Sequence, residues 1–180
     1  EASHIVDIVS PTITHYEIAK KCLLNSKHIF TEKPLANTLE EAEELVQLVK
    51  EANVKCQIGH VERYNPAFLS LEGQLLEPMF IEAHRLAVFN PRGTDVSVIL
   101  DLMIHDLDMA RFLLGEEPVS VYAVGSALVD PEIGRAGDVD TAAVILTTAS
   151  GKIAQISNSR RASYGYDQRI EVHGAKGMLR

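Results

Sequence analysis

Apolar and polar positions follow two different rhythms along this chain, and the change of rhythm falls near residue 60. In the first part a β-branched run at residues 4–9 stops at Ser10-Pro11, and residues 14–25 then place Ile18, Cys22 and the Leu23-Leu24 pair at helical spacing. The alternation continues with a strand at 28–31, a helix at 38–53 and a strand at 54–58, and Thr38 with Glu41 predicts a capping box where the second helix begins. Strands separated by helices of about a dozen residues build βαβ units, whose strands run parallel and whose crossovers are right-handed.

Beyond His60 the pattern loosens. Asn65-Pro66 leads into a short helix, a strand covers 79–88, and Asn90-Pro91-Arg92-Gly93 reads as a loop. A long helical run from Val96 to Leu114 follows, and strand character then recurs at 119–127, 139–148, 152–159 and 168–173, with Ser150-Gly151 as a hairpin turn. Strands in direct succession pair antiparallel, so this part predicts an α+β domain with a mostly antiparallel open sheet that lays one face on the long helix. Two domains are expected, 1–60 and 61–180. Because the chain opens almost on a strand, and Gly177-Met178-Leu179-Arg180 has the look of another strand beginning, three parallel strands are few for a free-standing domain and a fragment is expected.

Composition narrows the function classes. In 180 residues a hydrophobic share of 46% supports a real core, while a net charge of −8 and a pI near 5.3 argue against nucleic acid and against anionic membrane surfaces as partners. No apolar run reaches the ~20 residues that span a bilayer, and no secretory leader is recognisable. Cys22 and Cys56 lack metal-ligand spacing and read as reduced, buried thiols of a cytoplasmic protein.

Two features carry chemistry. Glu32-Lys33-Pro34 lies at the exit of the second strand, where open α/β sheets place ligands, and the proline keeps Lys33 out of the following helix. An X-Pro bond is also open to the cis form. The ordinary alternative is a solvated lysine in a βα loop. In the Val96–Leu114 run, Ser97, Asp101, His105 and Asp108 share one stripe of an otherwise apolar helix. Buried polar groups need partners. Asp101 and Asp108 could simply neutralise His105, or His105 could be a general acid/base oriented by the carboxylate four residues before it; a metal site on these three is a weaker reading, with no second histidine at ligand spacing.

Ser10-Pro11 with His15, Glu32-Lys33-Pro34, Gly59-His60 with Asn65-Pro66, and Asp101-Leu-Met-Ile-His105-Asp106-Leu-Asp108 together resemble, in order and spacing, the Gfo/Idh/MocA oxidoreductases. The resemblance implies a partial Rossmann-type domain for NAD or NADP, followed by a substrate and oligomerisation domain whose sheet joins subunits into a homodimer or homotetramer. It implies that Lys33 holds a substrate hydroxyl beside the nicotinamide and that His105, paired with Asp101, takes its proton. It also implies cofactor contacts from Ser10, Pro11, His15, Glu32, Lys33 and Pro34, and substrate contacts from Arg63, Tyr64, Asn65, Asp101 and His105, with no metal. For Ser10 the ordinary reading is a helix cap, for His15 a surface histidine, for Arg63 a solvated arginine. Tyr164 and Tyr166 fall either near the site or on a sheet surface. The family's Gly-x-Gly-x-x-Gly turn is missing from these residues, so this piece alone is expected to bind dinucleotide poorly. The activity implied is hydride transfer to or from a secondary hydroxyl of a sugar, a nucleotide sugar such as UDP-N-acetylglucosamine, or a cyclitol such as inositol. A non-catalytic dinucleotide sensor of the same fold is the alternative.

Overall fold

The computed structural model describes residues 3–70, 74, 77–88 and 96–180. The chain falls into two compact units, Glu1–His60 and Val61–Arg180.

In the first unit, β1 (Ile5–Ile8), β2 (His28–Thr31) and β3 (Cys56–Ile58) form a parallel sheet in that order, with Ile5 opposite His28 and Ile29 opposite Cys56. The strands at either edge are shorter than expected. At β3 the reason is local, since the Val54 N–H bonds back to the Val49 carbonyl and closes the preceding helix. α1 (His15–Leu24) and α2 (Leu39–Ala52) supply Ala19, Leu23 and Leu45 to a core with Ile8, Ile29 and Ala36. Full burial of a leucine such as Leu45 stabilises by about 1.5–3 kcal/mol. The expected capping box is present: the Thr38 hydroxyl accepts from the Glu41 N–H at 3.3 Å, and the Glu41 carboxylate accepts from the Thr38 N–H at 3.3 Å. Asn53, at φ 51°, ends the helix in the left-handed conformation that asparagine tolerates.

The second unit begins with a 3-10 turn at Val61–Tyr64 and α3 (Pro66–Leu69), capped by the Asn65 side chain. β4 (Pro78–Leu86) comes next, then α4 (Ile104–Leu114), β5 (Pro118–Ser126), α5 (Pro131–Arg135), β6 (Thr141–Thr148), β7 (Ile153–Ser159), β8 (Asp167–Gly174) and β9 (Gly177–Leu179). The sheet order is β5-β6-β7-β4-β8-β9. Every pairing is antiparallel except β4 with β7. The sheet is mostly antiparallel, as expected, and its parallel pair joins strands that do not follow one another in sequence. α4 acts as a crossover that starts β5 in the direction of β4, and two hairpins then deliver β7 alongside β4 in the same sense. Gly151, at φ 88°, closes the second hairpin, its N–H donating to the Thr148 carbonyl.

Burial alternates along the strands. Ile81, Ala83, Ala142, Val144, Leu146, Ala154 and Ile156 face inward onto Met103, Met109, Ala110 and Leu113. Tyr122, Val124, Ile145 and Ile153 stay exposed. The helical run holds a departure: Ile99–Met103 is a π turn, and α4 proper starts at Ile104. α5 was not anticipated, Tyr164 and Tyr166 stand in the turn before β8 rather than on a strand, and the loop expected at 90–93 lies outside the described residues.

Candidate active site

In the first unit the three strand exits share one edge, and side chains lace them together. The Glu32 N–H donates to the Ile8 carbonyl at 3.0 Å, and the Gly59 N–H donates to Thr31 at 2.8 Å. The Glu32 carboxylate lies over Gly59, where an added Cβ would meet it at 3.1 Å and push it aside by a few tenths of an ångström. Lys33 is half-buried beside a cis Lys33–Pro34 peptide, and Pro34 is buried.

Ser10 and His15 both have partners within the first unit. The Ser10 hydroxyl is 2.6 Å from that of Thr14 at the start of α1, so its oxygen serves the helix entry. Pro11 is exposed on the same turn. His15 corrects the surface reading: it is 1% exposed, with Nδ1 2.8 Å from the Pro34 carbonyl oxygen and Nε2 2.9 Å from that of Ser10. Both ring nitrogens thus face main-chain carbonyl oxygens.

In the second unit the polar stripe of the helical run takes other partners. Ser97 Oγ accepts the Leu100 N–H at 3.2 Å and caps the first turn. Asp101 lies in the π turn, a wider turn found often at functional sites, so its phase relative to His105 is not that of a uniform α-helix. Arg160 Nη1 donates to Asp101 at 3.1 Å, and its Nη2 donates to the Val96 carbonyl at 2.7 Å. Asp108, 6% exposed, receives Arg63 through Nε at 2.7 Å and Nη2 at 2.6 Å, and the guanidinium rests 4.9 Å from the Phe112 ring centre. Arg63 is therefore anchored, not solvated. Each flanking carboxylate thus carries an arginine.

Next to His105, Asp106 receives Arg85 through Nε and Nη2 and Asn158 at 2.8 Å; Arg85 also donates to the Tyr166 hydroxyl at 2.6 Å. These groups are buried except for Tyr166, so the helix is pinned one residue from His105 by a desolvated ion pair. Glu62 completes the network, accepting from Gln168 at 2.7 Å and from Asn65 at 3.3 Å, with Arg85 3.7 Å away. Burial pushes the Glu62 carboxyl up, but Gln168 and Asn65 as donors and the charges of Arg85 and His105 outweigh it and hold it below its ordinary value. Asn65 and Glu62 help line a cavity of about 460 Å³ with Arg85, Asp106 and Gln168. Tyr64 is 69% exposed.

Sequence reasoning missed Glu62, Arg85, Asn158 and Arg160. Arg85 and Asn158 share strand parity with buried Ile81, Ala83, Ala154 and Ile156, and a polar residue at an inward position is the signal that could have found them. Among the described residues, the carboxylates and imidazole close enough to share a cation are Glu82, Glu171 and His173, not Asp101, His105 and Asp108. Cys22 and Cys56 are free, and burial pushes the Cys56 thiol up, away from reactivity. No helix of the described residues is long and apolar enough to cross a membrane.

Comparison with known proteins places each unit. Residues 1–60 match the model of an oxidoreductase family with an NAD-binding Rossmann fold, and residues 71–180 match the GFO/IDH/MocA C-terminal domain. The chain is 44% identical to an inositol 2-dehydrogenase of Rhizobium meliloti over 97% of this chain and 56% of that protein. It is 42% identical to a myo-inositol 2-dehydrogenase of Thermotoga maritima over 96% and 54%. A solved UDP-N-acetylglucosamine 3-dehydrogenase from Acidithiobacillus ferrooxidans superimposes with a TM-score of 0.85 at 36% identity, covering 96% of this chain and 55% of that one. The chain thus spans about half the length of the curated relatives it matches.

Proposed function

This chain belongs to the GFO/IDH/MocA oxidoreductase family, and from that premise we propose that the whole protein is a nicotinamide-dependent dehydrogenase of a secondary hydroxyl on a cyclitol or sugar. The observation that carries the reading is an identity of 44% to an inositol 2-dehydrogenase, in a chain that keeps both Lys33 at a strand exit and His105 beside a pinned segment of helix.

The first unit fits the cofactor in part. Its parallel strands bring Ser10, Glu32, Lys33 and Pro34 to one edge, the edge at which open α/β sheets receive nucleotides. These residues would hold the nicotinamide end of NAD or NADP, with His15 supporting them from below rather than touching it. When bound, the nicotinamide supplies the hydride acceptor for the carbinol carbon. Lys33 orients the hydroxyl oxygen and stabilises the negative charge that grows on it as its proton leaves. His105 accepts that proton on its ring, so the carbon–hydrogen and oxygen–hydrogen bonds break while the carbonyl forms. Asp101, held by Arg160, keeps a negative charge near that end of the helix. Glu62, Asn65 and Gln168 offer the mixed donors and acceptors that a polyol's remaining hydroxyls require.

The protein works as a cytoplasmic homodimer or homotetramer, joined through the outer face of the second unit's sheet, where Tyr122, Val124, Ile145 and Ile153 are exposed. The test of the activity is direct. The full-length protein is mixed with NAD or NADP and with myo-inositol, scyllo-inositol or UDP-N-acetylglucosamine, and the absorbance of reduced nicotinamide is followed. Turnover with one of them supports the reading, whereas tight dinucleotide binding without turnover of any of them would make the protein a sensor instead.

A further inference from the structure

His15 has no part in the chemistry just described, yet it is among the most deeply buried polar side chains of the first unit. Its ring stands between two loops that have no sequence contact. On one side is the Ser10 carbonyl, two residues past β1; on the other is the Pro34 carbonyl, one residue after Lys33. The segment carrying Lys33 is held at its start by the Glu32 N–H on the Ile8 carbonyl and at its end by the Asn37 N–H on the Glu41 carboxylate at 3.1 Å. Between these ends the chain has no regular structure, and proline brings no N–H of its own to fix it. The Pro34 carbonyl at 2.8 Å from His15 is one hold between these ends, beside the packing of Leu35 and Ala36 in the first unit's core.

We propose that His15 is a positioning residue, whose imidazole ties the Ser10 and Pro34 carbonyl groups together and thereby sets where the Lys33 ammonium projects. The imidazole suits this task because its two nitrogens lie on opposite sides of a rigid ring set between two carbonyl oxygens: a neutral ring donates its one N–H to one of them, and donation to both takes the imidazolium. α1 supplies the rigidity, since His15 is its first residue and the neighbouring turn is fastened by Thr14, whose hydroxyl donates to the Pro11 carbonyl at 2.7 Å. The exit of β1 and the segment that follows β2 are thereby bridged by one side chain. This inference rests on Lys33 acting in the proposed hydride transfer, where a misplacement of about 1 Å can lower the rate about a hundredfold.

The experiment compares full-length wild type with His15→Gln and His15→Phe by hydrogen exchange in the absence of dinucleotide, by steady-state kinetics and by dinucleotide titration. Exchange across residues 32–37 should rise at least about tenfold in His15→Phe while α1 and α2 hold their protection. Its kcat should fall about a hundredfold with the substrate KM and dinucleotide Kd within about twofold of wild type, and His15→Gln, which keeps a donor of similar reach, should lie between. Should His15→Phe fail to fold, His15→Gln carries the comparison, with faster exchange at 32–37 still required. Unchanged exchange there in the folded variants overturns the proposal, and so does a weakened dinucleotide Kd with kcat retained, which would make His15 a direct contact. If wild type oxidises no polyol, the dehydrogenase reading fails on its own, and the exchange measurement still decides whether His15 fixes the loop.

Discussion

Glu62 sets the electrostatic character of the residues around His105. Its carboxyl is held below the ordinary carboxylate range against the effect of burial, by Gln168 and Asn65 as donors and by Arg85 and His105 as charges. The interaction is mutual, so the ionised carboxylate favours the protonated form of the imidazole. A base must be neutral to accept a proton; Glu62→Gln should therefore move the acid limb of kcat/KM to lower pH, as a pH-rate profile would reveal. A limb that stays put, or moves up, would remove Glu62 from the account. The pair Arg85–Asp106 is a different case, since both groups are buried and each neutralises the other. Asp106→Leu alone should destabilise by about 3–5 kcal/mol in urea unfolding, whereas the double replacement with Arg85→Met should recover much of that loss. At this scale the sequence offered Lys33, Asp101 and His105 as candidates for chemistry, but not the arginine that holds Asp101. The sequence left Arg63 either lining a substrate cleft or solvated and gave Arg160 no role, because nothing in a linear pattern indicates that Asp108 and Asp101 stand opposite them.

Elements were legible where the local code is complete. The Thr38 and Glu41 capping box needs only four residues to form, and Thr38→Ala should cost about 1 kcal/mol, measurable by thermal unfolding. The π turn at Ile99–Met103 was not legible, because its apolar residues satisfy an α-helical pattern equally well. The turn before β6 was also hidden: the buried Asp140 carboxylate accepts N–H groups from Leu128, Val129 and Asp130, a clamp assembled across ten or more residues. Burial raises that carboxyl, but the three N–H donors and the Thr141 hydroxyl bring it below its ordinary value of 3.8. A lowered folded value means the clamp stabilises fully above the ordinary value and is lost as pH falls through the depressed one. On acidification through 3.8 and below, wild type should lose its stability margin over Asp140→Asn, a trend that denaturant midpoints across that range would register.

On the scale of the whole molecule, alternating strands and helices fill the unit Glu1–His60, and the successive strands lie in Val61–Arg180. The β4–β7 parallel pair escaped because it joins strands far apart in sequence, and only the crossover through α4 determines it. The outer face of that sheet bears on assembly: Ile145→Glu, at an exposed position between β5 and β7, should shift the full-length protein to a smaller species in light scattering while leaving its thermal midpoint nearly unchanged. Lys33 and His105 give the whole protein its proposed work as a dehydrogenase, and their removal tests it most directly. With the full-length protein, its preferred dinucleotide and its best polyol, Lys33→Ala and His105→Ala should each lower kcat by about 10² to 10⁴ while dinucleotide affinity stays close to wild type; turnover at the wild-type rate in either variant would contradict the account.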